Sequence, residues 1–269
     1  MAAALLQGPL VDSHAHIWEA DMPYAASAWT RPGYLYTAEQ LQADMATFGI
    51  RYGVVAAASL FGTYNDYTIR SLRRHANLRG TAILDPGVDL YTLEAMRADG
   101  IVGARLQWYM LDPLPDLAGE SFQRFCRRVR DTGMHLHLNI EGFRMPAVAR
   151  ELQGTGVRLV IDHYGWHEPG PRLQAQSYQD MLRLMDGGNV WVKLASGFRR
   201  PDRDLTAEYT QDLLARFGAE RLLWGSDSPF VGHEHAASYR SVVEDLHYAV
   251  PDEATRRDLG ESAYRFYFS

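Results

Sequence analysis

Residues 11–18 read V-D-S-H-A-H-I-W. The apolar start is strand-like, and strand side chains alternate faces with a period of two. Asp12, His14 and His16 are therefore expected on one face, with Val11, Ser13 and Ala15 on the other. Three polar groups on one face of a short buried strand are costly unless something binds them. Histidines satisfied by backbone groups at a strand end would give the same pattern, because His is often partly buried without a ligand. The rest of the chain has to decide.

Outward from this stretch the chain alternates strand and helix patterns. Strands are predicted at 10–16, 53–59, 80–84, 102–107, 135–140, 159–163, 190–195 and 222–227. Helices are predicted from the T-A-E-Q capping box at 37–40 to a stop at Gly49, and from Asn65 or Asp66 to His75. Others are predicted at 89–99, 120–132, 145–153, 177–186, 204–217, 236–249 and 252–264, with Gly100, Gly133 and Gly218 as stops. Eight strands alternating with helices make an α/β protein with a (β/α)8 TIM barrel, one domain over residues 1–269. A doubly wound open sheet would carry a glycine-rich phosphate turn after an early strand, which the sequence lacks. The long connections at 17–36, 108–119, 164–176 and 196–203 would build the catalytic face.

Polar residues fall where such a face needs them. Strand one ends on His14 and His16, and strand two on Ser59. Strand four carries Arg105 with Gln107 on the same face. Strand five alternates His135, His137 and Asn139 with Leu136, Leu138 and Ile140. Strand six ends on His163 and strand eight on Asp227. One buried histidine is usually structural, but polar residues at most strand ends point to one mouth.

Bulk properties exclude other classes. The 269 residues are 46% hydrophobic and 22% charged, with a net charge of −6. There is no basic stripe for nucleic acid and no apolar run long enough for a membrane span. The opening M-A-A-A-L-L-Q-G is short for a signal peptide and lacks a basic start. With a single Cys126, read as a packing residue, these features favour a cytoplasmic protein. Lys193 is the chain's single lysine.

V-D-S-H-A-H-I-W, V-I-D-H-Y-G and L-L-W-G-S-D-S-P together resemble the amidohydrolase superfamily. More narrowly, they resemble its lactone-hydrolase branch typified by 2-pyrone-4,6-dicarboxylate hydrolase. G-Y-L-Y-T-A at 33–38, S-L-F-G-T-Y-N-D at 59–66, G-A-R-L at 103–106 and V-W-V-K-L-A-S-G at 190–197 are similar to the same branch. The resemblance spans nearly the whole chain. It implies a hydrolase that opens a small carboxylate-bearing lactone, such as 2-pyrone-4,6-dicarboxylate, a muconolactone or a sugar lactone, in aromatic compound catabolism.

Asp227 is then the expected base, although an Asp before Ser-Pro also caps helices. His14, His16 and His163 would polarise the carbonyl or bind a metal that does. Arg105 could fork onto a substrate carboxylate, and Arg199 or Arg200 could take another. The resemblance implies substrate hydrogen bonds from Ser59 and Tyr36. His137 is also expected at the substrate, or as a substitute metal ligand. Trp18, Tyr24, Trp29, Tyr34 and Trp108 are expected to wall the pocket or to pack beside it. One departure matters: the dicarboxylate hydrolases carry another arginine soon after the Arg105 position, and here the segment reads Q-W-Y-M-L-D-P.

A two-metal site is not expected, because Arg105 and Gln107 cannot bridge cations. The expectation is no required cofactor, or a single Zn or Mn ion on His14, His16, His163 and Asp227. Two rival functions remain: a metal-dependent decarboxylase of the same superfamily, and a non-catalytic barrel that binds a small acid. The expected partner is a small lactone, and assembly into a homo-oligomer stays open.

Overall fold

The computed structural model describes residues 6–167, 172–200 and 202–269. The opening M-A-A-A-L, and residues 168–171 and 201 within two of the long connections, lie outside the described residues. Eight parallel strands run in chain order around a barrel: β1 (Val11–Ala15), β2 (Tyr52–Val55), β3 (Leu78–Ala82), β4 (Ile101–Gln107), β5 (His135–Asn139), β6 (Arg158–Ile161), β7 (Val190–Leu194) and β8 (Leu222–Trp224). A parallel bridge between Ala15 and Ser228 brings the last strand back to the first. This is the expected (β/α)8 architecture.

The helices are α1 (Ala38–Thr47), α2 (Asp66–Arg74), α3 (Leu90–Ala98), α4 (Glu120–Asp131), α5 (Met145–Gln153), α6 (Gln176–Asp186), α7 (Arg203–Phe217), α8 (Tyr239–Ala249) and α9 (Glu253–Phe268). The box at the start of α1 forms as read, with the Thr37 side chain and the Gln40 side chain each bonded to the other's backbone amide. Cys126 faces the core from α4, fully buried, and burial pushes its thiol up to about 12. No helix among the described residues is long and apolar enough to cross a membrane.

The barrel has two unlike ends. Val11, Val54, Val160 and Leu223 form one buried cluster with Ala263 and Tyr267 of α9. His135 and Trp191, both early in their strands, also lie against Phe266. α9 therefore covers the N-terminal end of the barrel, and polar chemistry is left to the C-terminal end.

Expectations about the first and the last strand need correction. The register of β1 on β2 shifts between Asp12 and Ala15, which breaks the simple alternation. The Asp12 carboxylate consequently leaves the face that carries the His14 ring and accepts instead from the His14 backbone N–H at 3.1 Å. It also accepts from Ser226 and from the Tyr239 hydroxyl of α8. The strand predicted at 222–227 ends at Trp224. Beyond it, Asp227 N–H donates to His14 O at 2.8 Å, and His16 N–H donates to Ser228 O at 2.8 Å.

Candidate active site

Asp227 sits at φ 59°, a left-handed backbone that directs its carboxylate at β1. It does not cap a helix; Ser238 caps α8. His16 Nε2 is 3.1 Å from Asp227 Oδ1, and His14 Nε2 is 3.6 Å from the same oxygen. The other oxygen, Oδ2, accepts from the Ser196 hydroxyl and from Arg199 Nε, the latter at 3.1 Å. Ser196 Oγ is also 2.7 Å from His163 Nδ1. The hydroxyl has one proton; given to Asp227, it leaves Ser196 to accept from His163 Nδ1–H. Burial alone would raise the Asp227 carboxyl, but the His16 hydrogen bond and the Arg199 charge hold it well below the usual carboxylate range. The group is an ionised, buried carboxylate.

Beneath this layer lies a second carboxylate that sequence reasoning missed. Asp162 accepts from His137 Nε2 and, at 2.9 Å, from an Arg105 terminal nitrogen. Its Oδ1 is 3.2 Å from His14 Nδ1. The signal was present in V-I-D-H, but a strand to residue 163 would put Asp162 and His163 on opposite faces. β6 instead ends at Ile161, and His163 turns left-handed at φ 50°. Both side chains then reach the His14 ring. Burial would raise Asp162, but the surrounding histidines and Arg105 outweigh it and keep it well below the usual range.

Lys193 was also missed, because a lone lysine in V-W-V-K-L gives no hint of what its interior face meets. Its Nζ is fully buried, 3.1 Å from His14 Nδ1, and burial pushes it down to about 7. Burial likewise lowers His14, and takes His137 to about 3 and His163 to about 4, with Asp162 pulling both back up. The centre thus holds the neutral imidazoles of His14, His137 and His163 between two carboxylates, the Arg105 and Arg199 guanidiniums, and a Lys193 amine that burial brings close to losing its proton.

The expected substrate contacts divide. Arg199 stands at the edge of the site with its side chain 20% exposed. Ser59 lies just after β2 in a short 3-10 turn and is partly exposed. Arg105 is buried, with its terminal nitrogens spent on Asp162 and on Ala57 O at 2.6 Å, while Nε has no partner among the described residues. Arg105 was expected free to fork onto a substrate carboxylate, but the unforeseen Asp162 takes one of its terminal nitrogens and the Ala57 carbonyl the other. The Tyr36 hydroxyl was expected at the substrate too. It instead donates to Asp44 of α1 at 2.6 Å and accepts from Ser228 at 2.7 Å. His137 is fully buried against Asp162. Trp18 and Trp108 are core residues, whereas Trp29 is 60% exposed.

One group of donors is spaced to hold a metal ion. His14, His16 and Asp227 offer ligand atoms 3.1, 3.3 and 3.6 Å apart. A tetrahedral ion with bonds of about 2.0–2.1 Å has edges of about 3.3–3.4 Å. These three fit. His163 groups instead with His14 and Asp162.

The amidohydrolase family model matches residues 11–268. The chain is 25% identical over 231 residues to 4-sulfomuconolactone hydrolase of Hydrogenophaga intermedia, covering 82% of this chain and 75% of that one. A solved Pseudomonas putida protein, assigned provisionally as a 2-pyrone-4,6-dicarboxylic acid hydrolase, superposes with a TM-score of 0.87 at 29% identity, covering 98% of this chain and 99% of that one. A Burkholderia multivorans amidohydrolase solved with bound zinc has the same fold, with a TM-score of 0.77 at 20% identity, covering 96% and 98%. With the match running from the first strand to the last helix, this chain belongs to the amidohydrolase family.

Proposed function

We propose that the protein hydrolyses a small carboxylate-bearing lactone, with Asp227 as its base. The observation that carries this reading is the convergence of His14, His16, Ser196 and Arg199 on one buried, ionised carboxylate. The similarity to a sulfomuconolactone hydrolase and to a pyrone-dicarboxylate hydrolase-like structure supports the lactone.

Hydrolysis needs a water deprotonated, the carbonyl oxygen stabilised and the leaving oxygen protonated. Asp227 Oδ1 takes the water's proton and returns it to the leaving oxygen. His14 Nε2, facing the same gap, donates to the carbonyl oxygen. Arg199 takes the substrate carboxylate, and Ser59 hydrogen-bonds the ring. Arg105 acts mainly by holding Asp162. The ring class is that of 2-pyrone-4,6-dicarboxylate, a muconolactone or a sugar lactone.

The reaction is proposed to need no metal. A divalent ion, where bound, would be held by His14, His16 and Asp227 and would polarise the carbonyl.

The test is to mix chelator-treated protein with acidic lactones in weakly buffered indicator. Ester hydrolysis releases a proton at neutral pH, so acidification is expected. Proton uptake with carbon dioxide release, restored by added metal, would overturn this reading and support a decarboxylase.

A further inference from the structure

Gln107 closes β4 at the mouth of the barrel, on the strand face that carries Arg105. β4 and β8 lie half-way round the strand order from each other, so Gln107 stands across the mouth from Asp227 and Arg199. A directed chain of hydrogen bonds ends on it. Trp166 Nε1 lies 2.6 Å from Asn139 Oδ1, and Asn139 Nδ2 lies 3.0 Å from Gln107 Oε1. An indole N–H only donates, so the side-chain oxygen of Asn139 must face it. The Asn139 NH2 is then left for Gln107, whose own oxygen must accept. The donor-only end of the chain fixes both amide orientations.

Gln107 Nε2 is the atom left over. It carries two N–H donors, it has no partner among the described residues, and the side chain is partly exposed. The Trp166 ring stands edge-on to His163, with centroids 5.1 Å apart, so the chain reaches the layer of the site that holds Asp227. No free cation joins this wall among the described residues. Arg105 is paired with Asp162 below. Arg144 spends its terminal nitrogens on Glu141 Oε2 at 3.2 Å and Leu111 O at 2.8 Å. Glu141 Oε1 accepts from Met110 N–H at 2.7 Å, so this side already carries a carboxylate.

We propose that Gln107 is a substrate-binding residue that donates to an uncharged acceptor on the lactone, with Asn139 and Trp166 as its positioning residues. The substrate class is then a monoanionic lactone. Its carboxylate lies at Arg199, and a neutral oxygen (a carbonyl, hydroxyl or ether) lies at Gln107. This rests on the lactonase reading and narrows its substrate: a second carboxylate would meet amide donors, Glu141 and no free cation.

The test uses the Asp227→Asn protein, in which turnover is expected to be lost, so that calorimetry reads binding apart from hydrolysis. The probes are 2-pyrone-6-carboxylate, its 4-carboxamide and 2-pyrone-4,6-dicarboxylate. The carboxamide should bind about tenfold or more tightly than the dicarboxylate of the same shape, which buries an unpaired charge. Adding Gln107→Leu should cut the preference for the carboxamide over the unsubstituted ring about fivefold, the scale of one hydrogen bond between uncharged groups. Trp166→Phe removes the indole N–H but keeps a ring, and should cut the same preference; a merely structural role would weaken all three probes alike. Tightest binding of the dicarboxylate, an unchanged preference in both variants, or binding of none of the three would overturn the inference. Hydrolysis of any of them by wild type would still uphold the lactone reading. If Gln107→Leu does not fold, Trp166→Phe and the order of the three probes decide.

Discussion

Arg199 Nε lies 3.1 Å from Asp227 Oδ2, on the oxygen away from His16. The proposed base therefore carries its own counter-charge from the loop after β7. The same arginine is partly exposed at the edge of the site, and the proposed reaction gives it the substrate carboxylate as well.

Its two services can be separated with two kinds of lactone. Arg199→Ala should slow a neutral lactone modestly, through the lost charge beside Asp227. An acidic lactone should lose a further factor of about ten in kcat/KM, a typical value for a hydrogen bond to a charged group. Equal losses on both would show that Arg199 only supports Asp227.

Arg105 and Asp162 form a buried pair with side chains 3% and 0% exposed. Removing one partner leaves a buried charge, at a cost of about 3–5 kcal/mol. Arg105→Ala is therefore expected to lower stability to denaturant by that amount. A variant as stable as wild type, but defective with acidic lactones alone, would return Arg105 to the substrate.

Acid should unfold the protein earlier than carboxylates alone would dictate. His14, His137 and His163 titrate well below their ordinary value of 6.5, His137 near about 3 and His163 near about 4. Between about 6.5 and 4 the unfolded chain binds protons that the folded chain refuses, so stability falls as pH falls. Each such histidine contributes up to about 1.4 kcal/mol per pH unit. Asp162 and Asp227, whose folded values are depressed, add their loss at lower pH still. Melting scans from about pH 7 to 4.5 should show a steady decline; a flat profile would mean these rings are charged in the fold.

Chelation is expected to leave activity unchanged. The Arg199 guanidinium beside Asp227, and the Lys193 amine beside His14 when it is charged, oppose a divalent ion at this centre. Loss of activity on dialysis against chelator, restored by Zn²⁺ or Mn²⁺, would refute metal-free hydrolysis.

What the sequence disclosed was local or periodic. The Thr37–Gln40 box is legible because both partners lie within one turn. His14, His16, His163 and Asp227 are legible because V-D-S-H-A-H-I-W, V-I-D-H-Y-G and L-L-W-G-S-D-S-P carry them at or just past the ends of apolar strand patterns. Asp12 was misplaced by a register shift that no alternation rule contains. Asp162 was hidden by a strand that ends two residues before His163. Lys193 meets His14 across 179 positions of chain, and nothing local encodes that contact.

The central claim is that Asp227 activates the water that opens the lactone. The direct measurement is turnover of an acidic lactone in heavy-oxygen water, by wild type and by Asp227→Asn, with mass spectrometry of the product. Wild type should place one solvent oxygen in the new carboxylate. Asp227→Asn should remain folded and lose about a hundredfold or more in kcat, the scale of a general base. Unlabelled product, or an Asp227→Asn variant that keeps more than about a tenth of the wild-type rate, would contradict the account.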